Sequence, residues 1–146
     1  MGVMAAGLAG CSESNEFTGY DKAAAEYRDA AGDLTLPQGA KPFPGLPEPK
    51  QKTSYQNGVG LVTAQYFWRC SWEKEWLDSQ GSDKTRAGKA LAELKKSPSM
   101  DFMSKDHLDD TGRSMFTEYM DKAELGDPSG FQQHYSANCI MPGQSQ

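Results

Sequence analysis

The apolar pattern of the chain is strongest between Leu61 and Leu77, which reads LVTAQYFWRCSWEKEWL. The tryptophans of this segment are four residues apart, so a helix carries all three on one face: Trp68, Trp72 and Trp76. A second apolar face comprises Val62, Tyr66, Cys70 and Leu77. Because a helix that is apolar over so much of its circumference is usually buried on several sides, the segment predicts a central helix with the core packed around it.

The charged residues of the central helix fall on the surface that the two apolar faces leave over. Arg69 with Glu73, and Lys74 with Asp78, are spaced for ion pairs one helical turn apart. Each pair is expected to contribute a few tenths of a kcal/mol at most, as exposed pairs on helices do.

Weaker helical patterns occur on both sides of this segment. They predict helices over Tyr20–Ala31, from Ser82 or Asp83 to about Lys96, over Thr111–Glu124, and after Asp127-Pro128. The third of these is expected to turn Met115, Phe116, Tyr119, Met120 and Ala123 inward. The last carries Phe131, Tyr135 and Cys139 on one stripe.

Residues 33–60 differ from the rest, because five prolines interleaved with glycines exclude a helix and favour extended backbone. We interpret them as a strap that lays Leu34, Leu36, Phe43 and Leu46 over the helices, with a short strand at Leu34-Thr35-Leu36. The expected fold class is mainly α: a small single-domain helical bundle around the central tryptophan-rich helix, with a proline-rich extended strap.

The N-terminus is apolar, rich in small residues and uncharged up to Gly10. Leu8-Ala9-Gly10-Cys11 resembles the lipobox of bacterial lipoproteins, a family in which the cysteine is lipidated and becomes the mature N-terminus. The resemblance implies a signal-peptide remnant over 1–10, a lipidated tether over 11–18 and a helical domain over 19–146. No lysine or arginine precedes the apolar run, and a basic region upstream of Met1 would complete the pattern. The alternatives are an ordinary N-terminus with a chance cysteine, or N-myristoylation, whose pattern Ala6 breaks.

The remaining cysteines are candidates for a disulfide. If Cys11 is lipidated, Cys70 and Cys139 are left in an oxidising compartment, where we expect them to pair. Two buried free thiols, as in a cytosolic protein, are the alternative.

Candidate chemistry is sparse. The tryptophan stripe with Glu75 could stack a sugar ring, with Glu75 as a general acid, although core packing is the preferred explanation of the stripe. Asp106-His107-Leu108-Asp109-Asp110 could offer ligands to a hard cation, but adjacent carboxylates in a turn are more often a solvated helix cap. The histidines His107 and His134 are distant in sequence, so we expect neither a metal site nor a cofactor.

The composition limits the classes of partner that this protein is expected to bind. A net charge of −5 argues against nucleic-acid binding, which favours a basic patch.

The YFWRCSWE segment with a late cysteine is also loosely similar to uncharacterised exported proteins of actinobacteria, a resemblance that implies no activity. We therefore expect a non-catalytic binding or interaction module of the bacterial cell envelope. It would be held on the extracytoplasmic face by lipid at Cys11 and would contact an envelope protein or glycan. The alternatives are a small envelope hydrolase acting on glycan through Glu75, and an accessory subunit of a membrane complex.

Overall fold

The predicted central helix is present, and the other elements pack around it. This computed structural model describes residues 16–139. Its elements in chain order are β1 (Phe17–Thr18), α1 (Tyr20–Asp33), β2 (Tyr55–Gln56), α2 (Val59–Ser79), α3 (Lys84–Leu94), α4 (Asp110–Glu124) and α5 (Ser129–Asn138). Two 3₁₀ turns, Ser97–Ser99 and Asp101–Met103, connect α3 to α4. The predicted fold class, a mainly helical bundle, is confirmed. Within residues 16–139, no helix combines the length and the apolar character that crossing a bilayer requires.

The tryptophan stripe of α2 forms the centre of the core. Trp68, Trp72 and Trp76 expose only 1%, 2% and 2% of their surface. The Trp76 ring meets Phe131 of α5 edge to face at 5.3 Å, and the indole N–H of Trp72 donates to the carbonyl oxygen of Thr35 at 3.0 Å. The core interpretation of the stripe is confirmed. The stacking interpretation is wrong, because the indole faces are already covered by protein.

The proline-rich strap lies over α1 and α2 as expected. Leu34, Leu36, Phe43 and Leu46 pack against the buried clusters. The Phe43 ring lies 5.1 Å from that of Phe67, and the Tyr20 hydroxyl donates to the Leu46 carbonyl at 2.9 Å. The strand predicted at Leu34–Leu36 is not formed. Its Thr35 carbonyl is bound by the Trp72 indole, which occupies an acceptor that a strand partner would need.

The strand pairing that does occur lies at the end of the predicted lipidated tether. Phe17 pairs with Gln56 and Thr18 with Tyr55 in a short antiparallel ribbon. The backbone N–H of Asn57 donates to the Glu16 carbonyl at 2.9 Å. The folded part of the chain therefore begins before residue 19, and the end of the predicted 11–18 tether belongs to the domain. Cys11 lies outside the described residues.

Carboxylates accept hydrogen bonds from backbone N–H groups at the start of three helices. Asp83 accepts from the backbone N–H of Arg86 at 3.0 Å and Asp109 from that of Gly112 at 2.7 Å. Asp127 accepts from the backbone N–H of Ser129 at 2.9 Å, and this hydrogen bond lowers the pKa of the Asp127 carboxyl. The predicted cap at Asp83 is confirmed, whereas the N-cap of α5 is Pro128, one residue after the predicted Asp127.

One inward-facing residue of α4 was predicted wrongly. Phe116, Tyr119, Met120 and Ala123 are buried as expected, but Met115 remains 41% exposed. Met115 borders an open cleft between α4 and α5, so packing does not close over it.

Helices α1 and α2 meet at their closest point at Gly60, in the first turn of α2. A Cβ atom at Gly60 would overlap the carbonyl oxygen of Ala23 and press against the backbone of Tyr27. Glycine is required there because backbone packs directly against backbone.

Gly60→Ala should therefore force α1 and α2 apart and lower the free energy of unfolding by about 1–3 kcal/mol. Gly88→Ala is the matched control, because a Cβ at Gly88 in α3 would meet no atom within 4 Å. It should stabilise the domain by about 0.5–1 kcal/mol through better helix propensity. Urea unfolding followed by circular dichroism measures both, and equal effects of the two substitutions would contradict the close helix contact.

Candidate functional site

A disulfide joins α2 to the end of α5. Cys70 and Cys139 are bonded, and their Cα atoms lie 5.5 Å apart. This separation falls inside the range that disulfides require, so the predicted proximity of the two cysteines is confirmed.

Two further contacts align α5 along α2. His134 reaches Glu73 with a hydrogen bond of 2.7 Å, and Phe131 packs on Trp76. The partners on α2 rise in number (70, 73, 76) as those on α5 fall (139, 134, 131), so the two helices run in opposite directions at this contact. Three contacts on one short helix fix its register as well as its position.

A buried carboxylate lies at the centre of this helix pair. Glu73 is completely buried, and both of its oxygen atoms have partners. Oε1 accepts from Arg69 Nε at 2.7 Å, and Oε2 lies 2.7 Å from His134 Nδ1. A buried carboxylate needs such partners, because desolvation without them would be very unfavourable.

Arg69 is buried together with Glu73. Its side chain is 4% exposed, and its guanidinium carbon lies 4.8 Å from the centre of the Phe116 ring, in cation–π range. The sequence analysis placed the Arg69–Glu73 pair on the solvated surface of α2, which is wrong. The similarly spaced pair Lys74–Asp78 is solvated, with side chains 56% and 51% exposed.

This network borders a cleft between α2, α4 and α5. The cleft has a volume of about 330 Å³. Aromatic and aliphatic side chains share its lining with amides, a guanidinium and an imidazole: Tyr66, Arg69, Leu108, Met115, Phe116, Tyr119, Gln133, His134 and Asn138. Polar and apolar groups contribute about equally to the wall, so the cleft offers both hydrogen-bonding groups and apolar contact.

The Arg69 guanidinium is the strongest hydrogen-bond donor in the cleft wall. Its Nε is used by Glu73. Its Nη1 and Nη2 atoms make no hydrogen bond to any residue of the 16–139 range. Two N–H groups on a planar fork match the two oxygens of a carboxylate.

The Glu73–His134 hydrogen bond also bears on catalysis. With Nδ1 directed at the carboxylate, Nε2 is the ring nitrogen left to accept a proton, as in a carboxylate–histidine general base. The described lining of the cleft, however, includes no serine, threonine or cysteine that could act as a nucleophile.

The carboxylate of Glu75, the predicted general acid, is already hydrogen-bonded to another side chain. Both of its carboxylate oxygens accept from the Arg86 guanidinium of α3, at 2.8 and 2.9 Å. Paired with this arginine, Glu75 is a hydrogen-bond acceptor at the contact between α2 and α3. The glycan-hydrolase interpretation based on Glu75 beside Trp72 is not supported by this geometry.

The acidic turn before α4 serves the helix. Asp109 is the cap of α4, and Asp110 pairs with Arg113 in the next turn. The cap interpretation of this turn is confirmed at Asp109, and Asp110 has its partner within the first turn of α4.

Arg69, Glu73 and His134 are the site residues that sequence reasoning missed. The available signal was their position: Arg69 and Glu73 lie between the tryptophan face and the Cys70 face of α2. A helix that is bonded to Cys70 must cover this part of α2. The predicted disulfide from α5 therefore already implied that α5 covers it.

Comparison with known proteins gives no match to a family model, to a curated protein or to a solved structure.

Loss of the disulfide should destabilise the packing of α5 against α2. Its sequence separation of 69 residues corresponds to about 4 kcal/mol in the chain-entropy model. In a Cys11→Ser background, Cys139→Ser should lower the free energy of unfolding by roughly 2–5 kcal/mol, measured by urea denaturation under oxidising conditions.

Cys70→Ser is the matched variant and should cause a similar loss, while the double variant should lose little more. Under reducing conditions the parent and Cys139→Ser should be nearly equal. A Cys139→Ser protein as stable as the oxidised parent would contradict this account.

Proposed function

We propose that this chain is a lipoprotein of the bacterial cell envelope, anchored through Cys11 on the extracytoplasmic face. Support comes from the Leu8-Ala9-Gly10-Cys11 motif, the apolar run before it and the pairing of Cys70 with Cys139, since disulfides persist in oxidising compartments. Two or three acyl chains would make the anchor stable, where one would be marginal.

The anchor would keep the domain close to the bilayer. Glu16, the first described residue, follows Cys11 by five residues, which span at most about 18 Å when fully extended. The β1–β2 ribbon would then lie at the membrane end of the domain.

The role we propose for the domain is binding of a small organic carboxylate in the cleft between α2, α4 and α5. The observation that carries this proposal is the buried Arg69 in the cleft wall, with Nε held by Glu73. Because Glu73 already neutralises Arg69, recognition would depend on directed N–H donors more than on net positive charge.

The rest of the lining fits an apolar or aromatic body attached to that carboxylate. Phe116, Met115 and Leu108 supply apolar surface, and the amides of Gln133 and Asn138 can meet further polar groups. A volume of about 330 Å³ lies at the lower end of the range for small-molecule sites.

The anchor is tested in cells with the full-length precursor. The parent should incorporate a palmitate analogue and partition into detergent, whereas Cys11→Ser should do neither. Ser12→Ala, one residue further on, is the matched control and should behave as the parent does. Equal partitioning of Cys11→Ser and the parent would refute the anchor.

The ligand class is tested with benzoate and its neutral analogue benzamide, followed by nitrogen–proton NMR of the purified domain. We expect benzoate to shift signals of cleft residues and to bind about tenfold or more tightly than benzamide. A charge-assisted hydrogen bond contributes roughly 1.5–3 kcal/mol, which accounts for such a ratio.

Ala137→Trp on the cleft rim should abolish these shifts, because the exposed Ala137 lines the cleft and carries no core contact. The same substitution at the exposed Ala92 of α3 is the matched control and should leave binding unchanged. Equal binding of benzoate and benzamide, or binding that survives Ala137→Trp, would exclude the carboxylate site and favour an accessory-subunit role.

A further inference from the structure

Three metal-ligating side chains converge where α5 meets α2. The ligand atoms of Glu73, His134 and Cys139 all lie within 4.8 Å of one another. Cys70 brings a fourth ligand atom to the same point, since its sulfur is bonded to that of Cys139. As long as the disulfide is intact, neither sulfur is a thiolate, and the thiolate is the form that binds metal.

We propose that reduction of the Cys70–Cys139 disulfide creates a binding site for Zn²⁺ or a similar thiophilic divalent ion. The ligands are the two thiolates, His134 Nδ1 and one Glu73 oxygen. Two cysteines, a histidine and a carboxylate are all ligands that zinc accepts in tetrahedral sites.

The distances leave room for such an ion after small movements. On tetrahedral zinc, a thiolate and an imidazole nitrogen lie about 3.6 Å apart, and an imidazole nitrogen and a carboxylate oxygen about 3.3 Å. The structure has 3.9 Å between Cys139 Sγ and His134 Nδ1, and 2.7 Å between His134 Nδ1 and Glu73 Oε2. The first pair is close to the required separation, and the second must open by about half an ångström.

The disulfide itself excludes the ion. Two thiolates on tetrahedral zinc lie about 3.8 Å apart, whereas disulfide sulfurs are held at about 2 Å. The oxidised and metal-bound forms are therefore mutually exclusive states of the same side chains.

The charges of the reduced, metal-bound cluster balance. Two thiolates and the Glu73 carboxylate carry three negative charges against the two positive charges of zinc. Arg69, whose Nε already donates to Glu73 at 2.7 Å, supplies the third positive charge and makes the buried cluster neutral. Arg69 would also hold the ligating carboxylate in place, as outer partners of metal ligands do.

The reaction balances with a dithiol as reductant. Two exchange steps pass two electrons and two protons to the cysteines, and the reductant leaves as its cyclic disulfide. Zinc then displaces a proton from each of the two thiols, and the Nδ1 proton of a neutral His134 moves to Nε2 through solvent.

Cobalt(II) tests the site, because thiolate ligation gives charge-transfer absorption and tetrahedral geometry gives intense d–d bands. The full chain with Cys11→Ser is used, so that Cys70 and Cys139 are its only thiols. Reduced with a phosphine, it should bind one equivalent of Co²⁺ with both signatures and release it to Zn²⁺. The oxidised protein should show neither signature.

Matched variants separate this site from adventitious binding. His134→Ala and Glu73→Gln should weaken Co²⁺ binding at least tenfold, the loss that even outer-sphere partners of a metal cause. His107→Ala and Glu75→Gln should change it little. Glu73→Gln leaves Arg69 without its buried partner and could prevent folding, so His134→Ala carries the test.

Three results would overturn the proposal. They are absence of thiolate–cobalt absorption in the reduced parent, an unchanged spectrum in His134→Ala, and equal binding by the oxidised protein. If reduction alone removes the helical circular dichroism, one equivalent of Zn²⁺ should restore it, and failure to do so would equally overturn the proposal.

Discussion

Burial of α2 on several sides is the constraint on which the rest of this structure depends. Its tryptophans are covered by α5 and the strap, and its first turn by α1. A helix covered in this way must also bury polar side chains, and each of these then needs a partner. The amide of Gln65 meets Asp101 and the backbone N–H of Phe102, and the hydroxyl of Ser79 donates to the Glu75 carbonyl. Arg69 and Glu73 are hydrogen-bonded to each other, and Glu73 also has His134 as a partner.

The sequence was sufficient to predict the elements whose signal is local. Four-residue spacing of the tryptophans predicted their shared burial, proline density predicted the extended strap, and Asp83 predicted the cap of α3. The two-stranded ribbon was not predicted, because Phe17–Thr18 and Tyr55–Gln56 are too short for a periodic pattern. Pairing between such segments is decided by how α1 and the strap bring them together.

The error at Arg69 and Glu73 has a specific geometrical cause. Successive residues of a helix are rotated by about 100°, which places Arg69 and Glu73 between the tryptophan face and the Cys70 face of α2. Lys74 and Asp78 have the same spacing but lie on the opposite, polar side of the helix. The prediction followed the spacing of the two pairs and not their angular position, so it missed that Phe116 of α4 and His134 of α5 cover the first pair. The result is one ion pair that is nearly inaccessible and one that is more than half exposed.

A contribution to folding stability does not by itself explain why the Arg69–Glu73 pair is buried. Apolar residues of similar volume often stabilise a protein as well as a buried ion pair does, whereas breaking such a pair is strongly destabilising. With apolar residues in place of Arg69 and Glu73, the disulfide and the Phe131 contact would still hold α5 against α2. What an isostere could not supply is an arginine in the wall of a cleft and a histidine oriented by a carboxylate. The binding role proposed for the cleft would account for these charges better than stability alone does.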